Sequence, residues 1–177
     1  MGTGYTLTCR KCGYEISGNL SVGFTFPMVY RQTMEAARAG KLGKTVRKFL
    51  KEHSDGALNA EAVFLKCTGC GRMECGQDLS MYIRKPDAPK KEPVVWSVAA
   101  PYTDVECVSP WDLKDGEEYE LYDPCGNRCE KCGEPMKPIS WQDVEKNGGR
   151  SGDTYSTDIP CPVCGELLCV TDYIMWD

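Results

Sequence analysis

Four copies of Cys-x-x-Cys-Gly constrain this 177-residue chain more than any other feature: CRKCG (9–13), CTGCG (67–71), CEKCG (129–133) and CPVCG (161–165). Two cysteines three apart can bend round one metal ion as a knuckle. The glycine that follows supplies an open backbone conformation, so that N–H groups can reach the sulfurs. Two knuckles make four sulfurs, a closed tetrahedral set. The chain has twelve cysteines and a single histidine, His53. That ratio makes a histidine-based zinc hydrolase, a Ser-His-Asp triad or a Cys-His nucleophile hard to build. Thioredoxin chemistry needs one CxxC opening a helix, not four glycine-followed copies. A disulfide framework belongs to secreted chains, and MGTGYTLTCRKCGYEI has no basic-then-apolar leader. No apolar run approaches the ~20 residues that span a bilayer. The expectation is a cytoplasmic metal protein without a membrane segment.

The knuckles belong to an internal repeat. CTGCGRMECGQDLSMY (67–82) lies over CPVCGELLCVTDYIMW (161–176) without a gap, and CRKCG matches CEKCG upstream. The chain therefore reads as two copies of one module. Proximity pairs Cys9 and Cys12 with Cys67 and Cys70, then Cys129 and Cys132 with Cys161 and Cys164. All eight are expected as metal ligands. Cys75 and Cys169 sit at matching places five residues past their knuckles. Strand alternation points both inward, as small hydrophobes rather than ligands, and Cys107 reads as packing too.

CRKCGYEI and CPVCGELL resemble the knuckles of zinc ribbons, small β-sheet units in which two hairpins clasp one zinc. The resemblance implies structural zinc, two Zn2+ per chain, and use as an adaptor in transcription, translation or protein assembly. The same four sulfurs resemble the iron site of rubredoxin, so an electron-transfer protein holding Fe is the alternative. Cys125 forms C-x3-C-x2-C with Cys129 and Cys132, a spacing that resembles the iron–sulfur motif of radical enzymes using S-adenosylmethionine. Only 45 residues follow Cys132, too few for the βα barrel such enzymes need.

Composition divides the chain. RKPDAPKKEP (84–93) has three prolines and no large apolar residue, and reads as a linker. Residues 1–93 carry 15 basic and 9 acidic groups, net +6; residues 94–177 carry 6 and 17, net −11. The expected architecture is α+β: a first zinc ribbon over 1–83 with a helical insert at about 31–53, the linker, and a second, acidic ribbon over 94–177. In the insert, Leu42, Val46, Phe49 and Leu50 line one helical face, and Lys44, Arg47, Lys48 and Lys51 the other. Gly40 and Gly43 separate this helix from one around Thr33–Ala39. LSVGFTF (20–26), VVWSVAAPY (94–102) and ELLCVTDYIMW (166–176) read as strands, and DGEEYELYDPCG (115–126) as an acidic helix. KNGGRSGD (146–153) reads as a turn-rich loop.

No catalytic constellation is visible: neither Cys75 nor Cys169 has a paired base. The functional expectation is a structural zinc-binding interaction protein. Its basic helix (Lys44, Arg47, Lys48, Lys51) is offered to nucleic acid or an acidic protein partner.

Overall fold

The computed structural model describes residues 2–88, 107–124, 126–146 and 154–176. In chain order the elements are β1 (Gly2–Thr8), β2 (Glu15–Leu20), α1 (Phe26–Arg38), α2 (Lys44–Glu52), β3 (Ala57–Leu58), β4 (Ala62–Cys67) and β5 (Met73–Gln77). There follow β6 (Met81–Arg84), α3 (Pro110–Lys114), β7 (Tyr119–Asp123), β8 (Met136–Ile139), α4 (Trp141–Glu145), β9 (Tyr155–Pro160) and β10 (Leu167–Trp176). The mixture is α+β, with the described strands in three small antiparallel sheets.

Two compact units share the chain, cut quite differently from two sequential halves. One comprises 1–23, 62–77 and 128–177; the other comprises 24–61 and 78–127. Part of the expected linker, 89–93, lies outside the described residues, as do the 94–102 strand, Cys125 and most of the 146–153 loop.

The first unit holds every knuckle. Its four-stranded sheet runs β2-β1-β10-β9, with the N-terminal strand antiparallel to the C-terminal one from Gly2↔Trp176 to Thr8↔Cys169. Alternation along β1 buries Tyr5 and Leu7 against Leu168 and Val170 of β10. A second sheet, β5-β4-β8, pairs Phe64 with Cys75 on one side and with Ile139 on the other. β4 divides its side chains between two cores. Phe64 is fully buried among Tyr5, Leu7, Cys9 and Cys161, whereas Val63, Leu65 and Cys67 pack with Cys129 and Met136. A short capped helix follows β8. The Ser140 hydroxyl accepts from the Asp143 N–H, and the Asp143 carboxylate accepts from the Ser140 N–H at 2.8 Å.

The second unit holds α1, α2, α3 and the sheet β3-β6-β7. Pro27 in the first turn of α1 suits a helix start. The strand expected over 20–26 does not form: β2 ends at Leu20, and Phe26 already begins α1. The left-handed backbone of Ser21, φ 71°, turns the chain out of β2. The 115–126 segment is corrected likewise: it forms β7, with Tyr119 buried opposite Arg84 of β6. Gly116, at φ 72°, breaks any helix there. A buried polar clasp ties the unit's two chain entries together. Asn59 Nδ2 donates to Asp78 Oδ2 at 2.8 Å, the Ser80 N–H donates to Asp78 Oδ1 at 3.0 Å, and Lys114 Nζ donates to Glu61 Oε2 at 2.6 Å. Burial is the main influence raising the Asp78 carboxyl above its ordinary range.

Because Phe64 sits in the core with Cys9 and Cys161, Phe64→Ala is expected to lower unfolding stability by about 3 kcal/mol or more. It should also speed metal loss from the Cys9 and Cys161 centre, although Phe64 lies on the strand that carries Cys67. Chemical denaturation and chelator-competition rates check both effects.

Candidate metal centres

All four knuckles adopt one backbone turn. The first cysteine's N–H donates to the carbonyl five residues on: Cys9 to Tyr14, Cys67 to Arg72, Cys129 to Glu134 and Cys161 to Glu166, at 2.8–2.9 Å. Its carbonyl accepts from the glycine N–H, of Gly13, Gly71, Gly133 or Gly165. Those glycines stand at φ 72°, 73°, 77° and 78°. Only glycine adopts this left-handed conformation freely, which explains the residue after every second cysteine. The turn also aims amides at sulfur: the Cys70 N–H donates to Cys67 Sγ at 3.3 Å, and the Val163 N–H to Cys161 Sγ at 3.4 Å.

The eight expected ligands assemble into two clusters of four, with the sulfurs of each within 4.8 Å of one another. Their pairing is not the sequential one. Cys9 and Cys12 join Cys161 and Cys164, while Cys67 and Cys70 join Cys129 and Cys132. One centre is nested inside the other. The physical reason is the β1–β10 ladder, which brings the first and last knuckles to the same end of a sheet. The β4–β8 ladder does likewise for the middle two. Proximity in sequence was a weak guide because closure entropy grows only logarithmically. Closing the 149 residues between Cys12 and Cys161, instead of a loop about a third as long, costs roughly 1 kcal/mol more. A seven-pair strand ladder outweighs that. Each centre still combines one CxKCG knuckle with one from the longer repeat. The two modules are thus permuted copies, in opposite chain order.

The geometry suits a four-coordinate metal ion. Across knuckles, Cys9 and Cys164 sulfurs lie 3.4 Å apart, Cys12 and Cys161 3.6 Å, Cys67 and Cys132 3.3 Å, and Cys70 and Cys129 3.7 Å. A disulfide needs about 2.05 Å. A tetrahedron with arms of about 2.3 Å has edges of about 3.8 Å. Burial repeats in both centres: Cys9, Cys161, Cys67 and Cys129 are buried, Cys164 and Cys70 half-buried, Cys12 and Cys132 exposed.

Electrostatics of the sulfurs agree. The Cys70 backbone N–H is the main influence lowering Cys67 to about 6, and the Cys12 N–H does the same for Cys9, to about 7. Cys132 and Cys12 are pushed up to about 12. Backbone N–H groups of Glu134 and Tyr14 favour their thiolates, but burial and the crowding of the other sulfurs outweigh this. Thiolate crowding of this kind is relieved when a metal ion binds, since the ligands bind it deprotonated. Lys66, one residue before Cys67, extends its ammonium to the Pro160 carbonyl at 2.9 Å, next to Cys161. Sequence reasoning missed this link between the centres, since no periodicity marks it.

Neither remaining pair member joins a cluster. Cys169 is buried, as alternation implied, but Cys75 is exposed. Its thiol reaches the Ser17 carbonyl at 3.0 Å, and a side chain at Gly18 would collide with its sulfur. Cys107 is half-buried. Lys44, Arg47, Lys48 and Lys51 all stand exposed on α2, with Val46 and Phe49 buried behind them. His53 caps the C-terminus of α2 and packs its ring 5.2 Å from both Phe49 and Tyr122. No protein-family model, curated protein or solved structure matches the chain.

Two outcomes follow from the nested pairing. Cys12→Ser combined with Cys164→Ser should cost one metal ion, no more than either change alone. Cys12→Ser with Cys70→Ser should cost both, whereas sequential pairing would spare one. Metal counting by native mass spectrometry separates the two. Cutting between 84 and 93 should leave each fragment with two half-centres and no tight site, and mixing the fragments should restore two.

Proposed function

We propose that this chain is a structural zinc protein: two Zn2+ ions, each in a four-thiolate zinc-ribbon site, hold a small platform whose work is to bind a partner. The observation that carries the reading is the pair of closed four-sulfur clusters with identical turns. No position is left open for water or substrate, and such closure suits a structural ion rather than a catalytic one. Sheets of four and three strands bury little apolar surface by themselves, so metal binding supplies folding energy. Partner contact falls to surfaces such as α2, whose four cations face solvent.

Iron in rubredoxin fashion uses the same sulfurs, and ligand chemistry alone favours neither metal. Protein purified without added metal is expected to be colourless and to carry two Zn2+ by native mass spectrometry. A red, reducible protein would transfer the reading to electron transport. A chain with one ion or none, its thiols oxidised, would end it.

A further inference from the structure

Helices α1 and α2 of the second unit form a cationic hairpin. Residues 26–52 contain seven basic side chains (Arg31, Arg38, Lys41, Lys44, Arg47, Lys48, Lys51) against two acidic ones (Glu35, Glu52), net +5 in a chain of net −5. All seven are exposed. Other cations of the same unit are matched closely: Arg84 Nε donates to Glu118 at 2.7 Å, and Lys114 to Glu61 at 2.6 Å. On the hairpin the described ion pair is Lys48–Glu52, loose at 3.7 Å and open to water, a kind that holds little energy.

The cations are also spatially ordered. Lys44, Arg47, Lys48 and Lys51 recur at helical spacing along about 10 Å of α2. Arg47 folds over the turn between the helices, and a side chain at Gly40 would meet its Cδ. That brings Arg47 beside the stretch carrying Arg38 and Lys41. The acidic strand β7 packs behind: Tyr122 contacts Phe49 and His53, on the helix face opposite the stripe. α1 and α2 themselves present no exposed aromatic ring on which a base could stack.

We infer that the α1–α2 hairpin is a docking surface for double-stranded nucleic acid, held through the phosphate backbone without reading sequence. A duplex carries about one negative charge per 1.7 Å of axis, so a 10 Å stripe meets several phosphates. No exposed ring stands among the cations of the two helices, the nearby exposed rings being Phe24 ahead of α1 and Tyr122 against the opposite face of α2. This favours a duplex over a single strand, whose binding leans on base–aromatic contacts. This deepens the reading of the chain as a binding protein and is independent of which metal fills the centres.

The test titrates the full-length, metal-loaded protein against fluorescent 20-base-pair DNA and RNA duplexes, a single strand, and polyglutamate. Binding to a duplex at 50 mM salt, weakened about 100-fold at 200 mM, is the expected result for some four neutralised phosphates. Arg47→Glu with Lys51→Glu should abolish it, while Lys137→Glu with Lys146→Glu, an equal charge change in the other unit, should leave most of it. Metal content is measured on every variant. Loss of binding with two ions retained assigns the effect to the hairpin; loss of the ions would instead implicate the platform, and Lys44→Gln with Lys48→Gln then repeats the test at lower charge. Preferred binding of the single strand, equal binding of polyglutamate, equal losses from the control pair, or no duplex binding at 50 mM salt each overturns the inference. Which duplex binds more tightly distinguishes DNA from RNA within it.

Discussion

Four sulfurs held within 4.8 Å cannot all be negative unless a cation sits among them, and the rest of the first unit follows from that constraint. The backbone meets part of the demand by turning amides toward the buried sulfurs. A glycine in left-handed conformation at each knuckle makes that turn possible. The remaining demand falls on the metal. A core that includes Cys9, Cys161, Cys67 and Cys129 among its buried members is then partly a coordination core. Apolar contacts around it, from Tyr5, Phe64, Leu168 and Met136, fix which knuckles meet.

Much of this was legible in the residues. The ligands, the glycine requirement, the C-terminal strand and the break between two helices at Gly40–Gly43 all rest on local chemistry, and local chemistry is written in short windows. The pairing was not legible. The repeat requires each centre to contain one knuckle of each kind, but sequential and nested assignments satisfy it equally. Loop length discriminates by only about 1 kcal/mol. What decides is the β1–β10 ladder, an interaction between the two ends of the chain that no window contains. The 115–126 segment misled for a related reason. Its acidic residues resemble a solvated helix, whereas β7 is a mostly exposed strand in which Tyr119 alone is buried and Glu120 stands in solvent beside Leu121 and Tyr122.

Nesting also explains how the second unit can exist where it does. Its two pieces, 24–61 and 78–127, leave the first unit after β2 and after β5 and return at β4 and just before the Cys129 knuckle. Both insertions interrupt connections between knuckles, not knuckles themselves. Lengthening such a connection carries only a logarithmic entropy cost, so a coordination core tolerates large inserted elements at these points. The buried Asn59–Asp78–Ser80 clasp, with Leu79 N–H donating to the Asn59 carbonyl at 2.8 Å, sits where the first inserted piece ends and the second begins. It lets them fold as one body instead of two loose loops.

That division separates two physical tasks that conflict when placed on one surface. A centre of four thiolates stays net negative even with a divalent or trivalent ion bound, and so would disfavour an approaching polyanion. A cationic hairpin needs unneutralised charge facing water. Placing seven exposed cations on the α1–α2 hairpin, and the eight knuckle cysteines on the other unit, keeps each charge in the setting its chemistry requires. The mean charge of −5 conceals this. Within it the α1–α2 hairpin carries seven basic side chains against two acidic ones, a concentrated field of one sign.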